Sequence, residues 1–109
     1  LEDKMVKYIG LGTYSNEAVK GLLGNDSDRT IAVEETCNSV GAKFLNMEVT
    51  RGLYDFILTV ESDTFEKVAA VSLTARAAGV VSDLVILESV DISKVREAAK
   101  GVKYTPPQA

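Results

Sequence analysis

The residues with the most chemical potential sit in one short run, Arg51-Gly52-Leu53-Tyr54-Asp55. An aspartate just behind a tight turn can serve as a general base or anchor a ligand amine or hydroxyl. The same aspartate can instead accept backbone N–H bonds or pair with a nearby Lys or Arg, a frequent use of perturbed carboxylates away from active sites. Lys20 and Arg29 carry charge that could hold an anion. They also fit a solvated helix face or a clamp on the acidic loop between them. The chain has no histidine and a single cysteine, Cys37. Ser-His and Cys-His nucleophiles, histidine-ligated haem and most catalytic zinc sites are therefore out of reach. Chemistry would fall to carboxylates, Tyr, Lys, Arg, the lone Cys or a borrowed group.

Other motifs fail on spacing. Counted from Asp26, an EF-hand loop would need glycine at its sixth position and glutamate at its twelfth, where Ile31 and Cys37 stand. Gly10-x-Gly12 lacks the third glycine of a dinucleotide fingerprint and leads into a helix opening at Ser15. No cofactor and no metal are expected. Asn25-Asp26-Ser27 matches a glycosylation sequon only by chance in a loop. The net charge is −4 with no cluster of Lys and Arg, so no nucleic-acid partner is expected. No apolar run nears the roughly 18–20 residues that span a bilayer, and no signal-peptide pattern follows Leu1. One cysteine forbids an internal disulfide and suits a reducing cytoplasm; Cys37, in a helical pattern, reads as a packed thiol. Met5 is a candidate native start, and the origin of residues 1–4 before it stays open.

These residues must be positioned by a small set of elements. Met5 to Tyr14 alternates as a strand, and Ser15 offers an N-cap. Val19, Leu22 and Leu23 form the stripe of a first helix, broken at Gly24 to Asp28. A second helical stretch, Arg29 to Val40, has the stripe Val33, Thr36, Cys37 and Val40 and stops at Gly41. Ala42 to Val49 is a second strand, and Arg51-Gly52 turns into a third, Leu53 to Glu61. Asp63 and Glu66 make a capping box for a helix carrying Phe65, Val68, Ala69 and Leu73 inward. Gly79 ends it, Val80 to Ser89 is a fourth strand, and Asp91 caps a last helix that runs to Lys100. One domain spans 5–101, followed by a tail over 102–109.

The order β-α-β-β-α-β with a C-terminal helix predicts a ferredoxin-like α+β sandwich, its antiparallel sheet ordered 4-1-3-2 with the helices on one face. Strand three reads Phe56-Ile57-Leu58-Thr59-Val60, apolar on both faces. Its second face needs a cover, and a second copy supplies one, so a homodimer packed sheet to sheet is expected. Alternation assigns Tyr54, Phe56, Leu58, Val60, Ile9, Leu11, Leu45, Met47 and Val49 to the helix side. It leaves Tyr8, Gly10, Gly12, Tyr14, Phe44, Asn46, Glu48, Asp55 and Ile57 at the seam. Two glycines beside phenols, an amide and carboxylates look like a ligand gap, and Tyr8, Gly10, Gly12, Tyr14, Asn46, Glu48 and Asp55 are its candidate residues. The same pattern also describes a barrel mouth where the glycines merely relieve crowding.

With "YSNEAVKGLLGNDSDR", "GAK" and "RGLYDFILTVES" in place, the chain resembles the GYD domain family over nearly its whole fold. The family motif falls on Lys20, Arg29, Gly52, Tyr54 and Asp55, with Leu53 inserted between glycine and tyrosine. The resemblance implies a dimeric α+β barrel and almost no function. The second half is also similar to the effector domain of Lrp/AsnC-type regulators, in which amino acids bind near the seams of an assembled ring; this chain has no helix-turn-helix domain. Two classes of function follow: a small-molecule-binding or regulatory module with its site at the dimer seam, or a cofactor-free oxygenase or isomerase of the barrel type. The second rests on analogy of fold.

Overall fold

A computed structural model describes residues 4–24, 26 and 29–108; the sequon at Asn25, the expectations for Ser27 and Asp28, and residues 1–3 and 109 fall outside them. The elements are β1 (Val6–Tyr14), α1 (Asn16–Gly24), α2 (Arg29–Ser39), β2 (Lys43–Val49), β3 (Phe56–Ser62), α3 (Phe65–Ala77), β4 (Val81–Glu88) and α4 (Ile92–Ala99). All strand pairs are antiparallel and the order is β2-β3-β1-β4. That is the expected sheet read from its other edge.

Most termini follow their caps. Ser15 Oγ accepts from the Ala18 N–H at 3.1 Å, and Asp91 Oδ1 accepts from the Ser93 N–H at 2.9 Å. The start of α3 differs from expectation. Asp63 is held by Lys67 Nζ at 2.9 Å, and the cap passes to Thr64, whose hydroxyl accepts from the Lys67 N–H. The inward stripe of α3 differs too. Val68, Val71, Ser72 and Ala75 pack inward, while Phe65 and Leu73 stay 49% and 59% exposed. On α1, Ala18 and Leu22 pack inward, and Val19 and Leu23 remain on the surface.

The larger correction concerns β1. Directly opposed residues of an antiparallel pair share a face. Tyr8 lies opposite Val60, Gly10 opposite Leu58 and Gly12 opposite Phe56. Tyr8 is buried with Cys37, Ala42, Val60 and Val68; Tyr14 is buried with Phe56 and Val81. Tyr8, Gly10, Gly12 and Tyr14 therefore face the helices. Ile9 and Leu11 face away, beside Thr59, Ile57, Leu87 and Val85. The physical reason is volume. A Cβ on Gly12 would overlap the Phe56 ring, so the bare backbone of Gly12 is the floor on which that ring lies. Tyr14 stacks on the same ring, centroids 4.8 Å apart.

On β2 the pairing register shifts between Phe44 and Asn46. This irregularity turns Phe44 to the helix side, where it packs on the Tyr8 cluster, instead of the face expected for it. Met47 packs inward as expected, whereas Val49 is exposed. No residue of α4 is buried.

The two strand glycines make opposite demands. A Cβ at Gly10 would meet Leu84 Cδ1 at 3.4 Å and Leu58 Cβ at 3.9 Å, ordinary contacts. Gly10→Ala should be neutral or stabilise by up to about 1 kcal/mol through a stiffer unfolded chain. Gly12→Ala should cost about 1–3 kcal/mol by displacing Phe56. Urea unfolding of both variants checks this, and equal effects would contradict the packing described.

Candidate functional site

Asp55, the motif's carboxylate, sits where β1 leaves the sheet. Gly52, at φ +134°, makes the preceding turn in a conformation that side-chain-bearing residues avoid. The Asp55 N–H donates to Gly12 O at 2.7 Å, and its carbonyl accepts from the Thr50 N–H at 2.7 Å. Its carboxylate Oδ2 accepts from the Tyr14 N–H at 2.9 Å. The β1–β4 register shifts between Thr13 and Tyr14, and the carboxylate serves the backbone at that irregularity. Asp55 thus ties the start of β3 to the end of β1. Tyr54, half-buried just before it, offers its carbonyl to the Thr50 hydroxyl at 2.7 Å.

The other candidates divide between two faces. Asn46 and Glu48 lie on the open face of the sheet, exposed, with Asn46 Nδ2 donating to Glu48 Oε1 at 3.1 Å. Tyr8, Gly10, Gly12 and Tyr14 lie on the opposite face, so the seven residues do not converge on one gap. Lys20 is an exposed partner of Glu17 on the same helix at 3.4 Å, a pair of little energetic consequence. Cys37 is fully buried, and burial raises its thiol pKa, which keeps it protonated and unreactive.

Room does exist, in the layer between the sheet and helices α2 and α3. A cavity of about 30 Å³ lies over Gly10, lined by Tyr8, Cys37 and Val68 among others. Beside it, sharing Leu58, Val71, Ser72 and Leu84, is a cavity of about 280 Å³. The larger one is bounded by Arg29, Val33 and Thr36 of α2, by Ala75 of α3, and by Tyr14 and Phe56 of the sheet. Tyr14 is only 8% exposed, and its hydroxyl is buried without a hydrogen-bond partner. Arg29 makes no ion pair among the described residues.

Arg29 is thus the one motif cation that reaches the cavity. Sequence reasoning missed the cavity's other side. The available signal was Thr74-Ala75-Arg76-Ala77-Ala78, where small residues at Ala75 and Ala78 leave volume unfilled along one side of α3.

The architecture is a ferredoxin-like α+β fold. Two solved structures share it: FFRP-DM1, at 16% identity and a TM-score of 0.54, covering 78% of this chain and 99% of that one, and 30S ribosomal protein S6 from Thermotoga maritima, at 12% identity and a TM-score of 0.54, covering 89% and 99%. Both likenesses are of fold alone. The GYD domain model matches residues 8–99, and the chain belongs to the GYD domain family. No protein among the curated ones matches it. Among the described residues, no helix is long and apolar enough to cross a membrane.

Burial raises the Tyr14 phenol pKa; Arg29 opposes the rise and Asp55 adds to it. A folded-state pKa above the unfolded value means that the stability contributed is whole below about pH 10 and is lost as pH climbs through the folded value. Tyr14→Phe removes a desolvated hydroxyl that has no partner. It should therefore leave stability at pH 7 unchanged or raised by about 1 kcal/mol, and should flatten part of the alkaline loss. Urea unfolding at pH 7 and pH 10.5 tests both; a clear loss at pH 7 would show that the hydroxyl has a partner.

Proposed function

We propose that this GYD domain is a small-molecule-binding or regulatory module that works as a homodimer, sheet to sheet, with its ligand in the cavity under α2 and α3. The observation that carries the reading is that cavity. Its walls are mostly hydrocarbon and its volume is near the lower end for ligand pockets. Tyr14 and Phe56 of the sheet and Arg29 of α2 stand among its walls. The ligand site moves from the seam to the helix layer, because the room lies there, between the sheet and helices α2 and α3. Asp55 has its N–H, carbonyl and carboxylate engaged by backbone groups, which favours binding over base catalysis there.

The dimer rests on the open face. Ile9, Leu11, Ile57, Val85 and Leu87 form its apolar centre, with Leu87 47% exposed in the single chain, and Asn46, Glu48 and Glu61 stand around it. A patch of this kind is rarely left bare.

Two measurements test the reading. Ile57→Arg puts a cation next to Glu48 on the open face and should give a folded monomer by light scattering. Leu58→Arg, on the helix side, should cost several kcal/mol. A wild-type monomer at micromolar concentration would overturn the dimer. Titration with 1-octanol should move the methyl resonances of Val33, Val71 and Ala75; no shift there would overturn the cavity as a binding site.

A further inference from the structure

Helix α3 turns Val68, Val71, Ser72 and Ala75 toward the sheet. Ser72 stands where the two cavities meet, lining both with Leu58, Val71 and Leu84. It is only 7% exposed. A helical serine commonly returns its hydroxyl to a carbonyl one turn back, but Ser72 makes no hydrogen bond among the described residues. The other hydroxyls of the larger cavity are engaged or out of reach. Thr36 Oγ1 donates to Ala32 O at 2.9 Å, Thr74 is exposed at the surface, and the Tyr14 hydroxyl is sealed within the packing. The Ser72 hydroxyl is not sealed in this way, so it is the polar group that the interior of the cavity leaves open.

A buried polar group with no partner costs free energy that a ligand oxygen can recover. Water answers this poorly. A buried water finds about three polar partners, and the other residues at the junction, Leu58, Val71 and Leu84, are hydrocarbon. An oxygen carried on an alkyl body is held there by the body. We propose that the cavity takes an uncharged aliphatic molecule with a single oxygen function (an alcohol, aldehyde or ketone). Its oxygen bonds Ser72 Oγ, and its alkyl part fills the space between the sheet and helices α2 and α3. The inference rests on the reading of this cavity as the binding site and adds the ligand's chemical class. The lack of charge follows from position, since none of the residues shared by the two cavities carries one. A serine hydroxyl offers one donor and its acceptor lone pairs, enough for one oxygen function. A sugar or other polyol would bring further hydroxyls against aliphatic walls and strand them.

The probes are 1-octanol, octanoate below its micellar concentration, and cyclohexane, each titrated into the full chain and followed on its methyl resonances. All three carry an apolar body, and only the first carries a neutral oxygen. In the wild type, 1-octanol should bind tighter than octanoate, with shifts centred on Leu58, Val71 and Leu84. Ser72→Ala should weaken 1-octanol roughly two- to tenfold, the worth of one neutral hydrogen bond, and leave cyclohexane binding unchanged. Alanine is the better helix former, and the hydroxyl it removes has no partner in the protein, so the variant should keep the fold. The wild-type comparison needs no variant. If Ser72→Ala binds 1-octanol as tightly as the wild type does, or loses cyclohexane equally, or if octanoate is the tighter wild-type ligand, the ligand class falls while the binding module stands. If no probe binds, or shifts appear only at Ile9, Leu11 and Ile57, both fall.

Discussion

Strand β1 can offer the helices Tyr8, Gly10, Gly12 and Tyr14, or Lys7, Ile9, Leu11 and Thr13. A strand's side chains alternate, so the choice is all or nothing, and one register step would exchange every residue between faces. The close approach of Phe56 to Gly12 decides it. The ring occupies the place where any β-carbon at position 12 would lie, and Tyr14 closes over it. Both phenols then enter the core, one in each of the two buried clusters. Ile9 and Leu11 are left to the open face.

That single contact governs the remaining geometry. With Phe56 across Gly12, the residue before Phe56 meets the end of β1, and Asp55 bonds Gly12 O and the Tyr14 N–H there. The motif's aspartate is thereby a positioning residue for the strand that carries the stack. Gly10 also keeps the layer beneath the helices thin in side chains. Gly10 and Ser72 line the smaller cavity, and Ser72 and Ala75 the larger one beside it. The cavity follows from small residues meeting small residues across the layer.

Much of this was legible in the chain. The element order, the sheet order, the Ser15 and Asp91 caps and the inward Cys37 follow from periodicity and turn chemistry. The face of β1 was not legible, because Ile9 and Leu11 look more core-like than tyrosines and glycines when one strand is read alone. Only the pairing with Phe56 makes glycine the residue that packs. Phe44 was misplaced because a register irregularity leaves no mark in an alternating pattern. The role of Asp55 as a backbone acceptor stood open beside its role as a base, and it takes the partner, Tyr14, 41 positions away, to separate them. Arg29 was visible as a charge but not as part of a cavity, since the lining comes from α2, α3 and the sheet together.

The whole geometry depends on which way β1 faces, and nuclear Overhauser contacts in solution report that directly. The Gly12 α-protons should show strong contacts to the Phe56 ring, and the Tyr8 ring should contact the methyls of Val60 and Val68, while the methyls of Ile9 and Leu11 show none to α2 or α3. Contacts from Ile9 or Leu11 to Val68, Val71 or Ala75 would contradict it, for they would mean that β1 is turned over and the cavity is filled.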